Sequence, residues 1–252
     1  MKTFKNRVAI ITGAASGIGL AIARNLCSKG CKLALSDINP TTLEVAKSEL
    51  SHETEVHSSV LDVSDKNAWV DYTKEVISHF GKAHILVNNA GTVYFNTVED
   101  TSIEDYEKMM NIHFGGVMYG TKNFLPYMQK EDEAHIVNLS SVAGLLGFPE
   151  TSAYCAAKFA IRGFTESLRN EMSDTNVGVS SIHPGVVNTN ILEATMTTNS
   201  SKQLFGFSFN GKSDIENLMS KAALTSAEKA AEMIVDGIKN NTARVLIGPD
   251  AM

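Results

Sequence analysis

Cysteine is scarce in this chain of 252 residues, and the three that occur are Cys27, Cys31 and Cys155. An odd and small number of cysteines in a chain of this length argues against a disulfide framework. The sequence offers no second Cys or His pair near Cys27 and Cys31 to complete a tetrahedral zinc site. The seven histidines contain no H-E-x-x-H motif. We therefore expect no metal site.

Positive charge is also in short supply, since 22 Lys and Arg residues stand against 28 Asp and Glu residues and give a net charge of −6. Such a balance provides no general attraction for nucleic acid or for anionic membrane surfaces. No segment approaches the roughly 20 apolar residues of a membrane-spanning helix, and the first apolar run, 8–11, is too short for a signal peptide. We expect no nucleic-acid partner, no membrane association and, by default, a cytoplasmic location.

The chain does contain a regular alternation of short apolar runs, typical of buried strands, with segments of helical periodicity. Strands are expected at 8–12, 32–37, 55–61, 84–88, 134–139, 177–182 and 243–247, and helices at 17–29, 40–50, 65–80, 152–172 and 227–239, with one long helix after Ser102. Alternation of this kind predicts a parallel sheet covered on both faces, and right-handed crossovers make it doubly wound. The prediction is a single α/β domain over residues 1–252, Rossmann-like, with seven parallel strands.

One long segment, 188–226, does not alternate in this way, and long insertions in compact domains are often lids or binding loops. Its apolar residues are Leu192, Met196, Leu204, Phe205, Phe207, Phe209, Leu218 and Met219. The alternative is a surface excursion with a small core of its own. An apolar substrate pocket is expected from Val93, Tyr94, Leu145, Leu146 and Phe148 together with Leu192, Met196, Phe205, Phe207 and Phe209, although these residues also suit an ordinary core.

A glycine-rich segment, Thr12 to Gly19, follows the first predicted strand and opens the first helix. Gly13 allows a sharp turn, Gly17 lets the backbone approach a pyrophosphate, and Gly19 lets the helix pack closely on the sheet. The helix N-terminus offers N–H groups and partial positive charge to phosphates. Turns also use glycine, and the spacing differs from the common G-x-G-x-x-G. The prediction of a dinucleotide site therefore depends on the position of this segment directly after the first strand.

Asp37 is expected at the end of the second strand, 18 residues after Gly19. Its carboxylate can accept hydrogen bonds from the adenosine ribose hydroxyls and would repel a 2′-phosphate. Ser16 and Ile38 stand where a basic side chain would be needed to bind that phosphate. We therefore expect NAD(H) to be preferred over NADP(H), the alternative being that Asp37 is a turn residue or helix cap.

Tyr154 and Lys158 are four residues apart and share one face of a predicted helix. The neighbouring ammonium is expected to lower the pKa of the tyrosine from its usual value of about 10, toward the range useful for proton transfer. Ser140 and Ser141 follow the fifth strand, at the sheet edge where α/β proteins bind ligands. The spacing of Tyr154 and Lys158 alone occurs often by chance. Ser140 and Ser141 equally suit a turn before Gly144.

Taken together, these motifs resemble those of the short-chain dehydrogenase/reductase family. The glycine segment matches the cofactor motif of that family, and Ser141 precedes Tyr154 by the family's 13 residues. Further matches are Asp62-Val63, Asn88-Asn89-Ala90-Gly91, Asn111, and Pro184-Gly185 with Thr189. The matches run in order from about residue 7 to about residue 247, which is nearly the whole chain.

The resemblance implies a role for each matched residue. Tyr154 would exchange a proton with the substrate oxygen, Ser141 would polarise that oxygen, and Lys158 would bind the nicotinamide ribose. Asn111 would hold a water that relays protons to Lys158. The implied cofactor-binding residues are Gly13, Ser16, Gly17, Ile18, Gly19, Asp37, Asp62, Val63, Asn89, Ala90, Gly91, Tyr154, Lys158, Pro184, Gly185, Val187 and Thr189. The resemblance also implies a homotetramer, with a dimer as the alternative.

The function expected from the sequence is an NAD(H)-dependent interconversion of a ketone and a secondary alcohol on a lipophilic small molecule, such as a medium-chain, cyclic or steroid-like one. A 3-oxoacyl thioester reductase is an alternative, against which the acidic balance argues weakly. A regulator that senses NAD(H) without catalysis is another alternative. The presence of Ser141, Tyr154, Lys158 and Asn111 argues against it, since a sensor does not need them.

Overall fold

Seven parallel strands form the centre of the computed structural model, which describes residues 1–188 and 225–251 together with three two-residue strands, Met196–Thr197, Gln203–Leu204 and Phe207–Ser208. The sheet strands are β1 (Val8–Thr12), β2 (Lys32–Asp37), β3 (Val56–Val60), β4 (Ile85–Asn88), β5 (Ala134–Leu139), β6 (Val177–Pro184) and β7 (Arg244–Ile247). Their order is β7-β6-β5-β4-β1-β2-β3, and every neighbouring pair is parallel. The predicted doubly wound sheet is confirmed.

Helices cover both faces of this sheet. They are α1 (Gly17–Ser28), α2 (Pro40–Leu50), α3 (Lys66–Phe80), α4 (Ile103–Met110), α5 (Gly116–Met128), α6 (Ser152–Glu171) and α7 (Ala227–Lys239). Successive side chains of a strand point to opposite faces, so Ala9 and Ile11 of β1 pack in a core that includes residues of α1 and α7. Val8 and Ile10 pack in a second core with residues of α3 and α5. All of β1 is buried, as the apolar run predicts.

The long helix predicted after Ser102 is interrupted, which corrects the sequence-based expectation. The helix begins as expected, because the Ser102 hydroxyl accepts the N–H of Asp105 at 3.0 Å. After α4, however, residues Asn111–Gly115 form a π-helical turn, in which the N–H of Gly116 donates to the carbonyl of Asn111. The helix then resumes as α5. Single π turns inside helices are frequent at functional sites.

The segment predicted as a lid lies largely outside the described residues. Its two ends pair with each other, since Val187–Asn188 runs parallel to Thr225–Ser226. Met196–Thr197 also pairs with Tyr94–Phe95. The other lid residues of the predicted pocket (Leu192, Phe205 and Phe209) and the predicted cofactor ligand Thr189 are outside the described part of the chain. No helix among the described residues is long and apolar enough to cross a membrane.

Candidate active site

A cleft of about 790 Å³ opens at the carboxyl ends of β1, β2 and β4. The strand order reverses between β1 and β4, and open α/β sheets bind ligands at such a point. Its lining includes these residues predicted to bind a cofactor: Gly13, Ser16, Gly17, Ile18, Asp37, Asp62, Val63, Asn89, Ala90 and Gly91. Gly19 lies directly behind this lining.

The start of α1 suits a bound phosphate group. Gly17, the first residue of α1, has a φ of +53°, a conformation that favours glycine. No side chain caps this helix end, which leaves first-turn N–H groups available for an anion. A Cβ at Gly19 would lie 2.1 Å from the carbonyl O of Gly13. Gly19 therefore provides close contact with the glycine loop itself, whereas the sequence predicted contact with the sheet.

Two loops of the cleft are joined to each other by Thr12 and Asn89. The Thr12 hydroxyl accepts hydrogen bonds from the backbone N–H groups of Asn89 and Ala90, both at 3.0 Å. The Asn89 side-chain amide donates to the carbonyls of Thr12 at 2.9 Å and of Gly13 at 3.1 Å. These bonds fix the β1 loop against the β4 loop, so the described residues form a preorganised cradle that fits a dinucleotide. Sequence reasoning assigned no such role to Thr12.

Asp37 lies in this cleft and also stabilises the backbone around it. Its carboxylate accepts the N–H of Ala15 at 3.1 Å and the N–H of Asn39 at 3.0 Å. The cap of α2 is Asn39, whose side chain accepts the N–H groups of Thr41 and Thr42. The alternative interpretation of Asp37 as a turn residue is thus compatible with its position in the cleft, because its carboxylate accepts the backbone N–H groups of the turn and also lines the cleft.

Ser141 follows β5 and is held by contacts on three sides. Its hydroxyl accepts the N–H of Ala143 at 3.1 Å and donates to the carbonyl of Pro184 at 3.4 Å. Its own carbonyl lies 3.0 Å from Nδ1 of the buried His183, which must carry the proton because a carbonyl only accepts. Nε2 of His183 then accepts from Ser181 at 2.8 Å. The fold thus brings Ser141 and Pro184 together, and His183 is a supporting residue that the sequence did not reveal.

Lys158 and Tyr154 lie on one face of α6, as their spacing predicts. The ammonium Nζ of Lys158 lies 5.5 Å from the centre of the Tyr154 ring and donates to the carbonyl of Leu139 at 2.9 Å. Lys158 is 5% exposed. Burial penalises the charged form and lowers the pKa of Lys158 to about 7.

The pKa of Tyr154 is shifted in the direction opposite to the predicted one. Burial raises it to about 12, the Ser141 hydroxyl acts to lower it, and Cys155 acts to raise it. Lys158 does not lower the pKa of Tyr154, because Lys158 with its pKa of about 7 is uncharged at the pH where the tyrosine titrates. Tyr154 is therefore a neutral phenol at pH 7, which is the state of a proton donor.

Two residues of the π turn, Asn111 and His113, lie in different surroundings. Asn111, to which the water relay was assigned, lies exposed at the rim of the cofactor cleft. The residue of this turn that packs against Tyr154 is His113, whose ring centroid lies 5.4 Å from that of Tyr154 with planes at 81°. His113 is 2% exposed. The water relay assigned to Asn111 therefore stays a prediction, and His113 is a residue of this turn that the sequence did not single out.

Comparison with known proteins finds similar chains. The model of the short chain dehydrogenase family matches residues 7–200. The SadH protein of Mycobacterium tuberculosis, whose name proposes an oxidoreductase, is 40% identical over 255 residues, covering 100% of this chain and 89% of that protein. A cyclopentanol dehydrogenase of a Comamonas species is 31% identical over 245 residues, covering 94% of this chain and 98% of the relative.

A solved structure agrees over nearly the whole chain. A short chain dehydrogenase/reductase from Burkholderia phymatum, determined in complex with NAD, has a TM-score of 0.88 and 29% identity and covers 99% of this chain and 91% of that one. The fold and the cleft define a nucleotide-binding oxidoreductase. The chain belongs to the short-chain dehydrogenase/reductase family.

Proposed function

We propose that this protein is an NAD(H)-dependent oxidoreductase that interconverts a ketone and a secondary alcohol, with Tyr154 as its acid/base. The observation that carries the proposal is the convergence of the Tyr154 phenol, the Ser141 hydroxyl and the buried Lys158 ammonium next to a cleft that fits a dinucleotide. A donor, a phenol and a cation in this arrangement can bind a carbonyl oxygen and deliver a proton to it.

Each of these groups has a defined task in the reduction. A bound nicotinamide supplies the hydride, or accepts it in the reverse direction. The Tyr154 phenol donates its proton to the substrate oxygen. The Ser141 hydroxyl turns its proton away from the long, 3.4 Å contact with the Pro184 carbonyl and donates it to the same substrate oxygen. Lys158, with a pKa of about 7, is a stronger acid than the Tyr154 phenol, with a pKa of about 12. Lys158 can therefore return a proton to the tyrosine.

The charge of the cleft supports a preference for NAD(H) over NADP(H). Among the described lining residues, four carry carboxylates and one carries an ammonium: Asp37, Asp62, Glu104 and Glu107 against Lys108. A 2′-phosphate adds negative charge that these carboxylates repel. Ile38 also lines the cleft, with 66% of its surface exposed, and offers no hydrogen bond to a phosphate.

The expected substrate is a lipophilic ketone or alcohol. The apolar residues Val93 and Tyr94 are buried beside the site, and Leu146 presents an apolar side chain that is 60% exposed. The related cyclopentanol dehydrogenase is named for a small cyclic secondary alcohol, and a substrate of this class suits such side chains. A cytoplasmic homotetramer is the expected form of the enzyme, and gel filtration tests its subunit number.

The direct test combines a substrate panel with two tyrosine variants. The panel holds cyclopentanol, cyclopentanone, longer and larger ketones, a sugar and a 3-oxoacyl thioester, each assayed by nicotinamide absorbance with NADH and with NADPH. Tyr154→Phe removes the proton donor and is expected to lose about 10²- to 10⁴-fold in kcat while it still binds NADH. Tyr127→Phe is the matched control, because Tyr127 also has a lysine, Lys130, 5.3 Å from its ring centre but lies outside the site.

Three results would contradict the proposal. Undiminished turnover by the Tyr154→Phe variant excludes this tyrosine as acid/base. Tight NADH binding by the wild-type protein without turnover of any panel member favours the non-catalytic sensor. A preference for the thioester over every free ketone favours the acyl reductase instead.

A further inference from the structure

The two ring nitrogens of His113 differ, since Nε2 has a hydrogen-bond partner and Nδ1 has none among the described residues. Its Nε2 lies 2.9 Å from the carbonyl O of Thr92. Since a carbonyl only accepts, Nε2 carries the proton and Nδ1 presents a lone pair. Nδ1 is buried and has no hydrogen-bond partner among the described residues. Buried polar atoms are nearly always paired, so this lone pair needs an explanation.

The ring of His113 lies between Tyr154 and Gly91. The imidazole packs edge-on against the Tyr154 ring, and a Cβ at Gly91 would lie 2.6 Å from its Cε1 and 2.9 Å from Nδ1. Gly91, at the end of the β4 loop, therefore leaves the room that the imidazole occupies. His113 is held between the cofactor loop and the proposed acid/base, and it does not belong to the lining of the cleft.

Burial and the charge of Lys158 keep His113 in the neutral form, whose Nδ1 can accept a hydrogen bond. Burial lowers the pKa of His113 well below its usual value, and the ammonium of Lys158 lowers it further, against a smaller opposite effect of the Thr92 carbonyl. The ring is thus neutral at pH 7. Lys158 has three N–H donors, and among the described residues one acceptor is found for them, the carbonyl of Leu139. A donor with unused hydrogens and an acceptor with an unused lone pair therefore lie near the same tyrosine.

We propose that His113 is a positioning residue that orients the Tyr154 ring and accepts, at Nδ1, a hydrogen bond from a water molecule that also contacts Lys158. This proposal rests on the proposed function, because it assigns His113 to the proton supply of the same site. In each reduction cycle the substrate oxygen takes a proton from Tyr154, Tyr154 takes one from Lys158, and Lys158 takes one from this water. The water regains its proton from solvent, so protons balance and His113 stays neutral.

Two substitutions separate hydrogen bonding from packing. His113→Asn keeps an N–H donor for Thr92 and an oxygen acceptor in place of Nδ1, whereas His113→Phe keeps an aromatic edge against Tyr154 but loses both polar groups. We expect His113→Asn to stay within about threefold of wild type in kcat and His113→Phe to lose about 10- to 100-fold, part of the range for general acid–base catalysis. KM for NADH should change little in either variant.

The solvent deuterium isotope effect on kcat supplies a readout that packing alone does not change. It is expected to rise in His113→Phe, because proton supply becomes rate-limiting, and to stay near the wild-type value in His113→Asn. The control is His135→Asn, which alters a buried histidine at the amino end of β5 that is bonded to Ser180. Equal loss in both His113 variants, or an unchanged isotope effect in His113→Phe, would overturn the relay.

Nitrogen-15 NMR of labelled histidine in the wild-type protein gives a test that needs no variant. We expect His113 at pH 7 to be the neutral Nε2–H tautomer, with Nδ1 shifted as a hydrogen-bonded acceptor. A protonated Nδ1, or an Nδ1 with no hydrogen bond, refutes the proposal. The absence of turnover in the wild-type protein would instead count against the proposed function, and the NMR result would still decide the hydrogen bonding of His113.

Discussion

Replacement of Gly19 by alanine is the substitution for which the structure gives the clearest geometric consequence. The added Cβ would lie 2.1 Å from the carbonyl O of Gly13 and 2.6 Å from the side-chain nitrogen of Asn89, although real Cβ contacts essentially never fall below 3.0 Å. The glycine loop and α1 must therefore separate by about 1 Å. Forcing an extra methyl group into a packed site costs about 1–3 kcal/mol, which corresponds to about 5- to 140-fold in an equilibrium constant.

Both the stability and the affinity for NADH should report this strain, since the displaced loop lines the cofactor cleft. We expect Gly19→Ala to lower the melting temperature and to weaken NADH binding, measured by fluorescence titration, within that range. The matched control is Gly163→Ala on the exposed side of α6, where a Cβ meets nothing within 4 Å. That change should stabilise the helix by up to about 1 kcal/mol and leave NADH binding alone. Wild-type affinity and stability in Gly19→Ala would show that the close contact between Gly19 and the glycine loop is not required.

Two further predictions concern cofactor choice and pH. The double variant Asp37→Ser, Ile38→Arg exchanges a carboxylate for a cation at the adenosine end of the cleft. The ratio of its kcat/KM with NADPH to its kcat/KM with NADH should rise at least about tenfold over the wild-type ratio. A wild-type protein that already prefers NADPH would contradict the role of Asp37. Reduction should slow as pH rises through about 7, because Lys158 then loses its proton. Oxidation should speed up with pH toward about 12, because it needs the Tyr154 phenolate, and pH–rate profiles with the opposite slopes would exclude these assignments.

The sequence predicted the sheet well because the strands are continuous apolar runs. Val8–Thr12 is fully buried, and a run of this kind leaves few alternatives once turn residues bound it. The start of α4 after Ser102 was predicted for a different reason, because Ser102 with Asp105 three residues later resembles a capping box, with Asp in place of the usual Glu. The pairing differs from a full capping box, since the Asp105 carboxylate accepts from the hydroxyls of Ser102 and Tyr94, and an aspartate is one methylene shorter than the usual glutamate.

The π turn could not be predicted, because one extra residue in a helical turn leaves the apolar pattern and the residue types nearly unchanged. That extra residue alters which side chain faces the site after Met110, so Asn111 is at the cleft rim and His113 beside Tyr154. The available signal was a histidine between the apolar residues Ile112 and Phe114, shortly before Gly115 and Gly116. This signal indicates a role for His113 only once the structure shows that Gly91 leaves space for the imidazole ring.

The pKa values of Tyr154 and Lys158 were also beyond the sequence. Their spacing correctly placed both on one face of α6, but the direction of a pKa shift depends on how much water the fold excludes. Lys158 is almost completely buried, and its hydrogen bonds join it to Leu139 and Ser140 at the end of β5. Spacing along one helix does not contain this information.

Hydride and proton are proposed to reach one carbon–oxygen group, with Tyr154 as the proton donor. The most direct measurement uses NADH deuterated at its transferable position with the best ketone of the panel, and mass spectrometry of the alcohol formed. We predict one deuterium at the carbinol carbon with the wild-type protein and about 10²-fold or more slower formation of that product with Tyr154→Phe. An alcohol without deuterium, or the same rate in both proteins, would contradict the account.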